Sequence, residues 1–185
     1  MKSLRFALPL AVPVVLLSCS APALAQSSAQ KSFDQIKSLA GTWAGTLTTS
    51  PAAASYQGKS IQVRLRVTSS GNALMHEMTV QGQADDPITM LYVNGNRLFL
   101  RHYCDAGNRP RMVAKASPDG KRIEFSLLEV SGSKRYGYME HAVFTAIDAS
   151  HHTEDWTYLE PGNHPVRAHF DLHRAATAAT AATAR

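Results

Sequence analysis

The sequence predicts an all-β domain, an antiparallel up-and-down barrel of about ten strands with one short helix at its N-terminal side. Three observations predict it. Most of the chain alternates apolar and polar residues with the period of two that is typical of half-buried strands. Short segments rich in Gly, Asn, Asp and Pro separate these stretches at the spacing of turns. The 185-residue chain, less an N-terminal export signal, has the length of one domain with one core.

The helix is predicted over residues 33–40, where Phe33, Ile36 and Leu39 recur at helical spacing and Gly41 can end the helix. The polar residues 26–31 are expected to lie outside the folded unit. The Ala/Thr repeat of residues 175–185 is expected to be disordered, because it buries too little apolar surface to offset its ordering entropy. The predicted barrel domain therefore spans residues 32–174.

Ten strands are predicted, over residues 42–48, 61–68, 74–80, 88–93, 97–104, 111–116, 123–128, 135–147, 153–159 and 166–173. Residues 94–96 (NGN) are a hairpin signal between the fourth and fifth strands. A meander of short strands hides its edges best by closing on itself, and a barrel of more than eight strands generally has room for a ligand. A two-sheet sandwich is the alternative, because the turn spacing also suits it.

Residues 1–25 have the pattern of a signal peptide. Lys2 and Arg5 precede an apolar run, and Ala23 and Ala25 form a small-residue cleavage site. The run is shorter than the roughly 20 residues of a membrane-spanning helix, and no later segment comes close, so no transmembrane segment is expected. We expect cleavage after Ala25 and a periplasmic or secreted protein. Residues 16–19 (LLSC) also resemble a lipoprotein box, which leaves open a lipid anchor at Cys19.

The charge balance gives no indication of a nucleic-acid partner. Residues 1–25 hold two basic and no acidic residues, so the rest of the chain carries 17 basic and 14 acidic residues, and these are scattered. A nucleic-acid-binding face would need a basic stripe with aromatic platforms. Cys104 is the only cysteine beyond residue 25 and is expected to be buried rather than reactive.

Strand alternation predicts which side chains face the barrel interior. In residues 97–104, Arg97 and Arg101 mark the outer face, which turns His102 inward. Extending the argument gives seven candidate ligand-binding residues: Trp43, Tyr92, His102, Met112, Phe125, Glu154 and Trp156. A mostly apolar cavity with a few polar groups is typical of a small-molecule site. We therefore expect a binding protein for a small hydrophobic or amphipathic molecule, without catalysis, in which His102 and Glu154 hold the polar end.

Two other functions stay open. A hydrolase or isomerase would use a His102/Glu154 pair for acid–base chemistry, with His76 as a further interior candidate. No Gly-x-Ser-x-Gly motif and no phosphate-binding glycine loop occurs, so an enzyme is the less favoured interpretation. An envelope interaction protein would have a packed barrel without a ligand, and would bind its partner through exposed loops such as residues 51–58.

Three segments carry a resemblance to a known group of proteins. They are residues 39–45 (LAGTWAG), 102–112 (HYCDAGNRPRM) and 154–156 (EDW). The first resembles the Gly-x-Trp opening of lipocalin-like (calycin) barrels, and the other two resemble an uncharacterised family of exported bacterial proteins in that group. The chain is also distantly similar to nitrobindin and to fatty-acid-binding proteins. The resemblance implies a barrel with a cavity and implies no activity.

No metal site is expected. His102 and Cys104 would project to one face and His141 could join them, but zinc needs three or four converging ligands and no compact ligand motif occurs. His151 and His152 follow a turn and are expected to lie in solvent.

No cofactor is expected either, and haem is an alternative that is left open but not favoured. Residues 164–169 (HPVRAH) resemble the segment of nitrobindin that carries its haem-ligating histidine. Strand alternation, however, turns His169 outward. The glycine-rich segment that the resemblance leads us to expect after Trp43 is also replaced by residues 48–52 (TTSPA).

Overall fold

The structure is a computed structural model and describes residues 26–176. It contains helix α1 (Ser28–Lys37) and ten strands: β1 (Gly41–Ser50), β2 (Lys59–Thr68), β3 (Ala73–Val80), β4 (Ile88–Asn94), β5 (Arg97–Tyr103), β6 (Arg109–Ala116), β7 (Arg122–Ser131), β8 (Tyr138–Ala146), β9 (His151–Glu160) and β10 (His164–Arg174). Neighbouring strands are antiparallel, and their order β1-β10-β9-β8-β7-β6-β5-β4-β3-β2 closes on itself. The predicted ten-stranded barrel is confirmed, and the sandwich alternative was wrong.

The seam between β1 and β10 closes the barrel. β1 pairs with β2 on one side and with β10 on the other, where Gly45 lies opposite Leu172. A Cβ atom added at Gly45 would lie 1.7 Å from the backbone oxygen of Asp171. Because glycine has no Cβ, it lets the two backbones approach this closely, which explains the glycine at this position of the motif in residues 39–45.

Helix α1 plugs one end of the barrel and contacts β4 and β5. It begins earlier than the predicted residue 33, because the Ser27 side chain accepts a hydrogen bond from the backbone N–H of Gln30 (3.1 Å) and caps the first turn. The buried face of the helix consists of Ala29, Phe33 and Ile36. Residues 28–31, which were expected outside the folded unit, are thus helical. We call this the plugged end; it also contains the start of β1, the end of β10 and the turns at residues 95–96, 117–121 and 147–150.

Trp43 and Arg174 seal the plugged end. Trp43 donates its indole N–H to the backbone oxygen of Leu39 at 2.8 Å. The Arg174 guanidinium lies over the indole ring, 4.2 Å from its centroid, and donates to the backbone oxygens of Ala40 and Ala149. One arginine therefore joins the segment after the helix, the last strand and the β8–β9 turn.

The inward faces predicted for β5, β9 and most other strands are buried, but β4 alternates the other way. Thr89 and Leu91 are fully buried, so Tyr92 points outward, where its ring stacks on that of Phe99 with a centroid distance of 5.8 Å. The placement of Tyr92 inside the barrel was wrong. β4 is apolar on both faces, and a period of two cannot tell which apolar face is the inner one.

The predicted signal peptide (residues 1–25), with Cys19 and the cleavage site at Ala25, lies outside the described residues, as do residues 177–185 of the predicted tail. Export and lipid attachment therefore stay predictions. Within residues 26–176, no helix is long and apolar enough to cross a membrane.

Candidate ligand site

Strand β9 lines the barrel interior from one end to the other. Its inward side chains are, in order, His152, Glu154, Trp156, Tyr158 and Glu160. The first three are buried, and the last two line an opening at the end opposite α1. We call that end the mouth; it is formed by the loops of residues 51–58, 81–87, 104–108, 132–137 and 161–163. The inner face of β9 thus runs from a buried polar core to an opening.

Glu154 is the centre of a hydrogen-bond network in that core. Its Oε2 atom accepts from His76 Nε2 and from Trp156 Nε1, both at 2.9 Å, and its Oε1 atom accepts from His152 Nε2 at 3.1 Å. The side chains of His76, His152 and Glu154 are all 0% exposed. A buried carboxylate is tolerated only when donors satisfy it, and three do so here. His152, which was expected in solvent, is instead part of the core.

The network keeps Glu154 ionised. Burial by itself would raise the pKa of Glu154, but the electrostatic interaction with His76 and the hydrogen bonds from His152 and His76 outweigh burial and lower the pKa to about 2. Because an ionised carboxylate only accepts, both histidines carry a proton on Nε2. Glu154 does not line the cavity that opens at the mouth. Its contacts identify it as the polar centre of the core.

The expected pairing of His102 with Glu154 is not found. His102 is 1% exposed, and its Nδ1 atom lies 2.8 Å from the hydroxyl oxygen of Thr89 on the neighbouring strand. The partners are set by strand register, since Thr89 lies directly opposite His102 across the β4–β5 ladder. His76 takes the place that was expected for His102, although Glu154 lies 78 positions further along the chain.

His102 is a neutral imidazole with one unused nitrogen. Burial disfavours its charged form, the electrostatic interaction with nearby His76 adds to the effect, and the pKa of His102 is lowered to about 3. Its Nε2 atom is buried and has no hydrogen-bond partner among the described residues. A buried polar atom of this kind normally has a partner, so the arrangement is what a site for an additional polar group would show.

A cavity of about 350 Å³ opens at the mouth, and His102 lines it. Its other lining residues are Leu47, Thr49, Ala53, Tyr56, Met78, Val80, Gln83, Asp85, Pro87, Cys104, Asp105, Met139, Trp156, Tyr158, Glu160, Val166, Ala168 and Phe170. Most of the wall is apolar, and the Trp156 ring lies 5.6 Å from the His102 ring, centroid to centroid. The volume is at the lower end of the roughly 300–1,000 Å³ that is typical of small-molecule sites.

Two of the seven predicted ligand-binding residues, His102 and Trp156, line this cavity. Trp43, Met112, Phe125 and Glu154 are inside the barrel as expected, but they are packed core side chains that the cavity does not reach. Tyr92 is on the outer surface. Strand alternation predicts whether a side chain points inward or outward. It does not predict how far along the barrel axis the side chain lies, and that position decides whether the side chain lines the cavity.

The sequence also contains residues of the cavity that the prediction missed. Tyr158 lies two residues beyond Trp156 on the same inner face. Continuing the alternation toward the mouth would have found it. Met139 could not have been found in this way, because the β8–β9 register shifts between Met139 and His141.

Acidic groups surround the cavity entrance. Burial raises the pKa of the Asp85 carboxyl, and the charges of Asp105 and Asp86 also raise it, against a backbone hydrogen bond from Asp105 that lowers it. Burial and neighbouring acidic groups raise the pKa of Tyr158 to about 12. Burial likewise raises the pKa of the half-buried Cys104 thiol, which is therefore uncharged at neutral pH.

A larger depression of about 570 Å³ lies at the plugged end between α1, β6 and the β6–β7 turn. Its lining includes the charged side chains of Lys31, Arg97, Lys115 and Asp119. Among the described residues, the buried nitrogen and oxygen atoms that lack a partner belong to none of its lining residues. We therefore regard the mouth cavity as the candidate site.

The predicted grouping of His102, Cys104 and His141 does not form. His141 Nε2 lies 3.5 Å from Glu124 Oε1, and both side chains are partly exposed. Among the described residues, two other trios hold potential metal-ligating atoms within 4.8 Å of one another: His151, Asp171 and His173, and Asp85, Cys104 and Asp105. The first trio is mostly exposed, and the second lies at the cavity entrance.

His169, the residue behind the haem alternative, points outward as strand alternation predicted. Its Nδ1 atom lies 2.7 Å from Asp155 Oδ1, and its side chain is 47% exposed. It lies outside the lining of the mouth cavity.

No family model matches the chain, and no curated protein matches it. Two solved structures are similar in fold. Rv2717c from M. tuberculosis is 15% identical, with a TM-score of 0.61 over 78% of this chain and 98% of that protein. A protein of unknown function from the DUF3598 family of Nostoc punctiforme is 11% identical, with a TM-score of 0.51 over 76% of this chain and 49% of that protein. At these identities the likeness concerns the fold alone, and the fold is that of a calycin-like barrel.

Proposed function

We propose that the barrel binds a small amphipathic molecule in the mouth cavity and does not transform it. The observation that carries the proposal is His102: its ring lines the cavity, and its buried Nε2 atom has no partner among the described residues. Leaving such an atom unpaired costs roughly 1–3 kcal/mol. A ligand with a hydrogen-bonding group would recover part of that free energy.

The contact with His102 is a neutral hydrogen bond. The pKa of His102 is lowered to about 3, so the ring carries no charge at neutral pH. If the Thr89 hydroxyl donates to Nδ1, then Nε2 carries the proton and donates to the ligand; if Thr89 accepts, Nε2 accepts from the ligand. Hydroxyl, amide and carbonyl groups satisfy one or both of these arrangements.

The apolar part of the ligand would lie against the cavity wall. Met78, Val80, Val166 and Phe170 supply aliphatic and aromatic surface, and Trp156 forms part of the same wall. Burying apolar area contributes roughly 25 cal/mol per Å², so a short alkyl chain or a small ring system suffices for binding in a cavity of this size.

The properties of His102 and Glu154 support ligand binding better than acid–base catalysis. A general base needs a pKa near the working pH, whereas that of His102 is lowered to about 3 and that of Glu154 to about 2. Glu154 is also occupied by three donors and lies outside the cavity lining.

Native mass spectrometry is the direct test of the proposal. The purified protein should show a mass excess that disappears on denaturation, and its value would separate haem, metal and organic ligands. In parallel, decanol is titrated while tryptophan fluorescence is followed. Since Trp156 lines the cavity and Trp43 does not, the signal should be absent in Trp156→Phe.

Variants link the binding to the cavity. His102→Phe should weaken decanol binding about tenfold, because the hydrogen bond is lost. Ala168→Trp should abolish binding by filling the cavity while leaving the polar groups in place. Tyr92→Phe, on the outer surface, is the matched control and should bind like the parent protein. A bare mass together with no uptake of decanol would overturn the proposal.

We also propose that the protein is exported, on the basis of residues 1–25, and that it belongs with exported barrels of the calycin group. The proposal predicts that the protein isolated from a bacterial periplasm begins at Gln26. A mature chain that begins at a lipid-modified Cys19 would establish the anchored alternative instead. Retention of the full-length chain in the cytoplasm would contradict both.

A further inference from the structure

The entrance of the mouth cavity is acidic. Three of its lining residues, Asp85, Asp105 and Glu160, carry carboxylates, and no lysine or arginine belongs to the lining as the structure describes it. Carboxylate oxygens of Asp85 and Asp105 and the thiol of Cys104 lie within 4.8 Å of one another. Like charges this close destabilise each other, which agrees with the raised pKa of Asp85.

Nearby basic side chains do not compensate these charges from within the cavity. Lys134 and Arg135, in the β7–β8 loop of the mouth, lie over the rings of Tyr138 and Tyr136 at 5.1 and 5.4 Å from the centroids. Neither residue lines the cavity. The lysine and arginine side chains of this loop therefore leave the carboxylates of Asp85, Asp105 and Glu160 as the charged groups of the cavity lining.

A second and independent observation points to an occupant of the same cavity, namely the unpartnered Nε2 atom of His102. Cys104 and Asp105 follow His102 by two and three residues, in the loop after β5, so roughly 7–10 Å of extended chain separates the entrance from His102. Between these two polar positions the wall is mainly apolar. The site therefore has a polar contact at depth, an apolar middle and an acidic entrance.

We propose that the molecule bound in the cavity is an amphipathic amine, whose ammonium group lies between Asp85 and Asp105, whose apolar body lies against Trp156, and whose far end carries a hydrogen-bonding group for His102 Nε2. This inference rests on the proposed function and names the ligand class of that site. A fatty acid fits poorly, because its carboxylate would meet carboxylates at the entrance and an uncharged imidazole at depth.

A divalent metal ion is the other cation that the entrance could attract. The trio of Asp85, Cys104 and Asp105 offers three ligand atoms, whereas closed zinc sites use four, and burial raises the pKa of the Cys104 thiol, which disfavours the thiolate that zinc needs. A metal at the entrance also leaves the His102 nitrogen and the apolar wall without a role. We therefore argue for the amine and treat the metal as an outcome of the test.

The experiment compares three ten-carbon probes that each carry a hydroxyl group at one end: 10-amino-1-decanol, decanol and 10-hydroxydecanoate. Each is titrated into the protein by calorimetry at pH 7, below the concentration at which it aggregates. Because all three can place the hydroxyl group at His102, the amino alcohol should bind about tenfold more tightly than decanol, and the hydroxy acid more weakly than decanol. Added salt should reduce the preference for the amine, because it screens charges at the open entrance.

The double variant Asp85→Asn/Asp105→Asn removes two charges with little change of shape. It should bring the ratio of 10-amino-1-decanol to decanol affinity below about threefold. Asp155→Asn removes an exposed charge from the outer face of β9, outside the cavity lining, and should leave that ratio at its original value.

The outcomes separate the two proposals. If decanol binds but 10-amino-1-decanol binds no better, or 10-hydroxydecanoate binds best, the amine is wrong and the binding site stands. If none of the three probes binds, the proposed function fails. Stoichiometric Zn²⁺ binding that is lost in Asp85→Asn/Asp105→Asn, without a preference for 10-amino-1-decanol, would overturn the amine in favour of a metal site.

Discussion

The indole N–H of Trp156 donates to Glu154, with 2.9 Å between Nε1 and Oε2, and this bond joins the wall of the mouth cavity to the polar centre of the core. Trp156 is fixed in orientation by the bond, so the cavity wall is rigid on this side. The carboxylate that fixes it is held in turn by His76 and His152. Stability of the core and shape of the candidate site thus depend on the same four side chains.

Glu154→Leu should lower the free energy of unfolding by about 3–5 kcal/mol, because His76, His152 and Trp156 would each lose a buried acceptor. Urea unfolding at pH 7 measures the change. Asp155→Leu is the control on the same strand: Asp155 is exposed and pairs with exposed His169, so its loss should change stability by less than about 1 kcal/mol. Equal effects of the two substitutions would contradict the account of the network.

The lowered pKa of His102 predicts a loss of stability on mild acidification. Its folded pKa of about 3 lies below the ordinary value of 6.5, so the unfolded chain binds the proton more readily between these values. The stabilisation is complete above pH 6.5 and is lost as pH falls toward 3. Between pH 7 and pH 5 this single group should reduce the free energy of unfolding by about 2 kcal/mol.

His102→Leu removes the titrating ring and should show a smaller decrease between pH 7 and pH 5 than the parent protein, by about the same 2 kcal/mol. Glu154 acts in a separate window, since its pKa falls from 4.5 to about 2 and its stabilisation is lost only as pH drops through that lower range. Identical slopes for parent and variant above pH 5 would show that His102 is not buried as described.

Arg174→Ala should lower the free energy of unfolding by about 2 kcal/mol, because it removes the contact over Trp43 and the hydrogen bonds to Ala40 and Ala149. Arg167→Ala, at an exposed position of the same strand, is the matched control and should have little effect. The difference in stability between the two variants is measured by urea unfolding, with the fluorescence of Trp43 as a local probe.

Gly45→Ala should destabilise the barrel by at least about 3 kcal/mol or prevent folding, because the added Cβ would overlap the backbone of Asp171 at the seam. Gly58→Ala provides the comparison. A Cβ at Gly58 meets nothing within 4 Å, and only the strain of its φ of +71° is added, a cost of about 1 kcal/mol. A well-folded Gly45→Ala protein would mean that β1 and β10 pair differently.

The barrel was predictable because alternation, turns and charge agree along most strands. Arg97 and Arg101 marked the outer face of β5 and so placed His102 correctly. β4 offered no such marker, and Tyr92 was placed on the wrong side. The alternation of residues predicts which face of a strand a side chain occupies. In an apolar strand without charged residues, alternation does not determine which of the two faces is the inner one.

The polar partners were not predictable, since they depend on contacts across the barrel between residues far apart in sequence. His76 and Glu154 are separated by 78 residues and meet only because strands β3 and β9 face each other across a packed interior. His152 follows a turn, which suggests solvent, yet lies beneath the Trp43 ring at the plugged end, with ring centroids 4.2 Å apart. The register between the strands and the position of helix α1 at the plugged end decide these contacts. Neither can be predicted from a short stretch of the sequence.

Helix α1 enters at the plugged end, and β10 finishes there, with the Ala175 backbone N–H bonded to Thr42 at the start of β1. Both ends of the described chain therefore leave the barrel on the side away from the cavity. A tether, a fusion partner or a sensor surface attached at either end would leave the opening pointing outward and accessible. The two ends of the described chain and the mouth cavity therefore lie at opposite ends of the barrel.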